Sequence, residues 1–540
     1  MNQKKLIKAI FISVVISFTV AYLLQSVLGN NTILVAVGGT IILANLIYNS
    51  MTRQKDITQR YKIVDAPAHG TARWGGLNDV ADIGGTGWIG KNGEENGVLV
   101  GRIGDSPLRI KPVPPISPHN AIIGASGAGK TTGYVLPNIR TTANSGHSMV
   151  VSDPKGEIFD ITSGYLEEQG YNVVKFDLQN LNAHRWSPVQ EVKTDYEVEV
   201  LADVLVRNSV DKAGDKSAYF VALEGLALTA ILHLAKSYGE NSNMLDVMEL
   251  LALDRESITP LVHDCDSEHA KNAWAQVATA SNNPLVGLSA KLRVLRHIGD
   301  VISNSDFNLE RIGQEKTAVF CIIPIADPTL KPVLAAFYLF LFRRLCSRKQ
   351  DIPVKIILDE FANLGQVLNF EQTIAVARGY NVKIDIILQN ISQLEDVYGF
   401  NARKAILSNC GVQLLLSTND LDTAKYFSSL AGSTAAEEIN IKPDNRSISG
   451  RRIEYSKRRR DLIEASEIMQ MPSNEIIALI SGKPPLALWK VNFFAESDCF
   501  AGYEPVHVPT PEPVGRTGIV VRDETPCDSH VSNPDAGDLF

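Results

Sequence analysis

Eight consecutive residues carry the sharpest chemical signal in the chain. Gly124-Ala125-Ser126-Gly127-Ala128-Gly129-Lys130-Thr131 fits the spacing G-x-x-x-x-G-K-[ST]. Glycines in such a run let backbone N–H groups converge on phosphate oxygens with no side chain in the way. A helix opening just after them adds the positive end of its dipole. Lys130 then places a cation on the β- and γ-phosphates, the Thr131 hydroxyl serves Mg²⁺, and Thr132 closes the cradle at the head of the helix. The expected cofactors are ATP and Mg²⁺.

A second group of residues supplies what hydrolysis needs. Val354-Lys355-Ile356-Ile357-Leu358 reads as a buried strand and ends in Asp359-Glu360. Asp359 would hold Mg²⁺, directly or through water, and Glu360 would orient and polarise the attacking water. A further run, Val382–Leu388, ends in Gln389-Asn390. Gln389 is either a reporter of the γ-phosphate or a plain polar strand end. Arg378, just before that run, is a candidate arginine finger acting on a neighbouring subunit, because a planar guanidinium suits developing phosphoryl charge. The alternative is an arginine in a surface or intrasubunit ion pair. Asp153 follows the run Met149–Ser152 and belongs at the nucleotide edge, without a chemical step of its own.

These residues need a sheet that brings strand ends together. The runs Ala121–Ile123, Met149–Ser152, Val173–Leu178, Ala318–Ile323, Lys355–Leu358, Val382–Leu388 and Val412–Leu416 are short, mostly apolar and bounded by polar residues. Several do not alternate, as befits strands buried on both faces. Longer helical patterns separate them. The fold class is therefore α/β with a mainly parallel central sheet. Lys130 and Asp359 stand further apart than a minimal phosphate-loop core needs. Residues 187–298 lack strand signals and read as an inserted all-α domain, which divides the α/β domain into 63–186 and 299–503.

The ends of the chain differ in kind. No charged residue occurs from Ala9 to Thr52. Residues 9–28 and 32–48 read as two membrane-spanning helices around a Gly29-Asn30-Asn31 turn. Lys4, Lys5 and Lys8 precede them, and Arg53, Lys55, Arg60 and Lys62 follow, so both ends should be cytoplasmic. Residues 1–62 thus form a membrane anchor. Residues 504–540 hold six prolines and seven acids and read as a disordered acidic tail. Ser433–Arg460 carries eight basic residues against four acids and reads as an irregular stretch, either a solvated loop or a phosphate-contacting one. A net charge of −8 argues against a general DNA-coating role and confines nucleic-acid contact to a local basic surface. Six cysteines without metal-like spacing read as isolated thiols.

Taken together, the motifs resemble one family, the type IV secretion coupling proteins, the ATPases of conjugative DNA transfer. The resemblance rests on AHGTARWG (Ala68–Gly75), the cradle GASGAGKTT, SDPKGE (Ser152–Glu157), LDEFANLG (Leu358–Gly365), ARGYNVKIDIILQNISQLEDVYG (Ala377–Gly399), STNDLDTAKYFSSLAG (Ser417–Gly432) and RRRDLIEASEIMQMP (Arg458–Pro472). It implies a RecA-like motor domain behind an inner-membrane anchor, a small all-helical domain, and a homo-hexameric ring with a central channel. It assigns Lys130 and Thr131 to phosphate and Mg²⁺, Asp359 and Glu360 to the second ATPase motif, and Gln389 to a sensor-like position. The implied function is recruitment of a relaxase–single-stranded DNA substrate and its delivery to a type IV secretion channel. The helical segment, the basic stretch and the acidic tail match nothing nameable in that family. Three other readings stay open: a coupling ATPase for protein effectors, a double-stranded DNA pump, and a docking receptor whose nucleotide site is structural.

Overall fold

The computed structural model describes residues 70–88, 97–111, 113–209, 218–322, 327–443 and 451–511. The expected anchor (1–62) and most of the expected acidic tail (504–540) lie outside these residues. The chain forms two compact units: one of residues 85–100, 107–413 and 491–540, the other of 1–84, 101–106 and 414–490.

The larger unit is built on six parallel strands: β1 (His119–Gly124), β2 (Ser148–Asp153), β3 (Asn172–Asp177), β4 (Thr317–Ile322), β5 (Val354–Leu358) and β6 (Val382–Leu388). Their order is β1-β6-β5-β2-β4-β3. Every residue of β1, β2, β4 and β5 is buried, which explains why these runs show no alternation. The register is parallel throughout, for example Ile122 opposite Ile387, Ile356 opposite Ile384, and Val150 opposite Ile356. Four adjacent strands, β1, β6, β5 and β2, therefore present their carboxyl ends side by side. Ligands bind at such an edge in open α/β sheets.

Between β3 and β4 every described element is helical. Five of these α-helices begin with side-chain caps that satisfy orphan N–H groups: Thr194 on the Glu197 amide, Asn243 on Leu245, Asp254 on Ser257, Ser267 on Ala270 and Asn283 on Leu285. The helix Ala218–Ser237 is long and apolar enough to cross a membrane, with 20 residues and a mean hydropathy of 1.7. Here it is a core helix. It packs against helices Asp195–Asn208, Glu268–Thr279 and Pro284–Leu292, and its Glu224 pairs with Lys291. Helix Lys331–Leu345 fastens this region to the sheet. The buried Arg344 guanidinium reaches Glu197 at 2.6 and 2.9 Å and Glu191 at 2.6 Å.

The smaller unit contains helix Leu421–Ala431 and the antiparallel pair Glu475–Ile480 and Leu486–Trp489. It also corrects one expectation. The stretch Ser433–Arg460, expected to be irregular, instead contributes a two-stranded antiparallel ribbon, Ser433–Pro443 against Arg451–Asp461. Ile439 and Ile441, and Ile453 and Tyr455, recur at the period of two that a strand requires, but the surrounding charges hide it. Gly70 abuts this ribbon with φ +121°, and a Cβ there would lie 2.3 Å from the Ser433 carbonyl oxygen. Ala72 N–H donates to that same oxygen at 3.0 Å. The first glycine of AHGTARWG is thus fixed by a close backbone approach.

Candidate active site

The glycine loop leaves β1 and turns back over its end. Gly127 and Gly129 adopt φ +75° and +79°, a region that other residues enter only with strain. The helix that follows starts with a wide turn, Thr131–Val135, in which Leu136 N–H reaches the Thr131 carbonyl five residues back. It then tightens into an α-helix over Leu136–Asn144. Pro137 therefore does not end the helix. A regular turn would drive its ring against the Gly133 carbonyl, and the widened turn makes room for it.

Lys130 is buried. Its Nζ donates to the Gly124 carbonyl at 2.9 Å and lies 3.4 Å from Glu360 Oε1. Gln389 Nε2 donates to the other carboxylate oxygen of Glu360 at 2.9 Å. Three elements distant in sequence thus meet on one carboxylate. Glu360 itself sits at φ 54°, ψ 46°, left-handed for a residue with a Cβ. Such a conformation costs on the order of 1–3 kcal/mol and persists where the surroundings demand it.

Asp359 is buried at the foot of the same cavity. Its backbone carbonyl accepts from Ser152 Oγ at 2.7 Å, which pins the end of β5 to β2. Burial, then the like charge of Glu360, push its carboxyl up to about 6, against the opposing pull of Lys130. Asp153, at the end of β2, accepts from the Gly156 and Phe159 amides at 2.9 and 2.8 Å and so holds the start of helix Glu157–Glu168. Burial raises its carboxyl as well.

A cavity of about 430 Å³ opens here, lined by residues 125–132, Asp153, Pro154, Lys155, Glu157, Ile158, Asp359, Glu360 and Gln389. Its donors suit a magnesium-bound nucleoside triphosphate. The left-handed glycines leave the loop open to phosphate, Lys130 supplies a cation, and the Thr131 hydroxyl and Asp359 carboxylate are hard oxygen donors for Mg²⁺. A carboxylate whose ionised form is disfavoured by burial and a like charge gains most from a divalent cation.

The structure brings Ala125 through Thr132, Asp359, Glu360 and Gln389 to one cavity, with Gly124 at the end of the strand beneath it. It does not bring Arg378 there. That residue is exposed, in the short turn Arg378–Tyr380 ahead of β6, whereas Gln389 follows the same strand's carboxyl end. The strand between them places Arg378 at the opposite edge of the sheet from its own chain's cavity. Sequence pattern also passes over Lys355 and Asp385. Each is a charge inside a mostly apolar run, and that interruption is the signal that marks them.

A model of the family "Type IV secretory system Conjugative DNA transfer" matches residues 48–512. Protein VirD4 of Agrobacterium fabrum is 24% identical over 79% of this chain and 66% of its own length. The conjugal transfer protein TraG of Escherichia coli is 26% identical over 75% of this chain and 71% of its own. The chain thus spans about two thirds of the length of these relatives. Among solved structures, the plasmid coupling protein TrwB in complex with the ATP analogue ADPNP shares the fold. It has a TM-score of 0.58 and 16% identity, covering 78% of this chain and 92% of TrwB. TrwB has also been solved with ADP and Mg²⁺, with a TM-score of 0.53 and 17% identity over 69% of this chain and 85% of TrwB. With the α/β phosphate-loop fold in place and more than four fifths of its length matched, the chain belongs to the type IV secretory system conjugative DNA transfer family.

Proposed function

We propose that the protein is a membrane-anchored ATPase that couples a DNA substrate to a type IV secretion channel during conjugation. The observation that carries this reading is the convergence of Lys130, Glu360 and Gln389 within 3.4 Å contacts beside Asp359, in a chain of the conjugative transfer family. The RecA-like motor, the anchor at 1–62 in the inner membrane, the homo-hexamer and the relaxase–single-stranded DNA cargo belong to the same proposal.

The chemistry is phosphoryl transfer to water, in which the protein supplies positioning and electrostatics. Mg²⁺, held by Thr131 and Asp359, would draw charge from the phosphates. Lys130 lies within reach of both the loop and Glu360, so phosphate oxygens arriving at Lys130 compete with the Glu360 carboxylate. Released from the lysine, Glu360 stays tethered to Gln389, free to take a hydrogen bond from water. Gln389 thereby links the position of the base to the γ-phosphate. Arg378, exposed at the far edge of the sheet from its own cavity, is the candidate finger for a neighbouring subunit's nucleotide in a ring.

The test is Mg²⁺-dependent ATP hydrolysis by the purified full chain, with and without single-stranded DNA at low salt, alongside DNA transfer in cells. Lys130→Ala and Glu360→Gln are expected to abolish hydrolysis and transfer while leaving membrane insertion unchanged. Hydrolysis indifferent to DNA would favour protein cargo, and stimulation by duplex alone would favour a double-stranded DNA pump. Transfer that survives Lys130→Ala would mean a docking receptor and refute the motor.

A further inference from the structure

We infer that one buried carboxylate, Asp385, is a positioning residue that holds the phosphate loop in register with the hydrolytic acids. The inference rests on the ATPase reading of the cavity above. Central strands of a parallel sheet are ordinarily apolar on both faces. Here three of them carry buried polar residues: Asn120 and Lys355 one residue in from the amino ends of β1 and β5, and Asp385 at the middle of β6. All of these side chains converge on Asp385. Asn120 Nδ2 and Lys355 Nζ both donate to its Oδ1, and Tyr134 O–H donates to its Oδ2 at 2.8 Å.

The register explains why these groups meet. Asn120 and Ile357 both stand opposite Asp385, and alternate residues share a face. Lys355 and Asp359 therefore lie on one sheet face with Asp385 and Gln389. Asp385 precedes Gln389 by four residues, Lys355 precedes Asp359 by four, Asn120 precedes Gly124 by four, and Tyr134 follows Thr131 by three. Each link is one short length of strand, on the order of 13 Å, or less than one helical turn. One carboxylate thus ties together the roots of the glycine loop, the acid pair, the sensor-like amide and the magnesium-side helix.

Fold stability is a poor reason for such a group, since a buried ion pair is often no better than apolar residues of the same size. Alignment is a better one. Ladder hydrogen bonds already hold β1, β6 and β5 to one another. Nothing in the ladder fixes the helix that carries Lys130 and Thr131, and that helix opens with the widened turn Thr131–Val135. Tyr134 lies in this turn, and its hydroxyl makes a directional bond that sets the turn against β6. His119, next to Asn120, accepts the Ile384 N–H on Nδ1 at 3.1 Å and bonds the amino ends of β1 and β6. The bonds are therefore layered: His119 at the amino side, then the Asp385 cluster, then the cavity.

The experiment uses the full-length protein and follows kcat, KM, the Kd for ATP with Mg²⁺, and Tm. Tyr134→Phe removes the donor to Asp385 Oδ2 and leaves the two donors to Oδ1 in place. Turnover should fall about tenfold or more, as sub-ångström misplacement in an active site allows, with KM and Kd within about threefold and Tm lowered by the loss of one buried hydrogen bond. The double variant Lys355→Met/Asp385→Leu removes both charges at once and so avoids an orphaned buried ion. It should fold and show the same loss in kcat. Wild-type kcat in either folded variant, or a change confined to KM and Kd, overturns the inference. If the double variant does not fold, Tyr134→Phe alone decides. A wild-type protein that binds but does not hydrolyse ATP overturns the reading of the cavity instead, and the positioning role with it.

Discussion

Asp359→Asn should make the nucleotide-free protein more stable while destroying its activity. The folded Asp359 carboxyl is held up to about 6 by burial and by Glu360, against an ordinary 3.8. Between these values the folded chain binds a proton that the unfolded chain has released, so stability falls as pH rises through this window. At about 1.4 kcal/mol per unit, the ionised carboxylate costs about 3 kcal/mol at pH 7.5 and about 1 kcal/mol at pH 4.5. An asparagine has the shape of the protonated acid and carries no such cost. Urea denaturation without metal or nucleotide should therefore show the variant ahead by about 2–3 kcal/mol at pH 7.5, with the gap narrowing toward pH 4.5. ATP hydrolysis by the same variant should be undetectable. Equal stability at pH 7.5, or a gap that does not change with pH, would refute the claim that Asp359 is a strained, cation-seeking acid.

Three further outcomes can be checked in parallel. Glu360→Gln retains the size of the side chain but not its charge. Loss of a general base should cost at least about a hundredfold in kcat, while the Kd for ATP is unchanged or lower because a carboxylate no longer competes for Lys130. Arg344→Met should lower stability by about 3–5 kcal/mol, since Glu191 and Glu197 are left buried with no guanidinium, and calorimetry would read the loss. Gly70→Ala should destabilise by more than about 1 kcal/mol, because it adds a side chain at φ +121° against the Ser433 carbonyl; a variant as stable as wild type would mean that the ribbon shifts freely.

The residues of the candidate site are legible because their grammar is local. A glycine loop after a strand, two acids after another and an amide after a third all declare themselves in runs of fewer than ten residues. Parallel strand order then brings their carboxyl ends together without any further information. What stayed hidden depends on relations that sequence spacing does not carry. Lys355 and Asp385 look like blemishes in apolar strands until the register shows them diagonal across β5 and β6, with Tyr134 above them. The ribbon at Ser433–Asp461 was missed for the opposite reason, because its charges resemble a solvated loop while its period of two sits beneath them. Arg378 marks the boundary between the two kinds of knowledge. Its chemistry fits a phosphoryl transition state, yet its strand puts it at the wrong edge for its own chain. Two roles fit that position, a surface arginine with no part in hydrolysis and a residue that serves a neighbouring subunit's nucleotide, and Arg378→Ala separates them, because only the second lowers turnover.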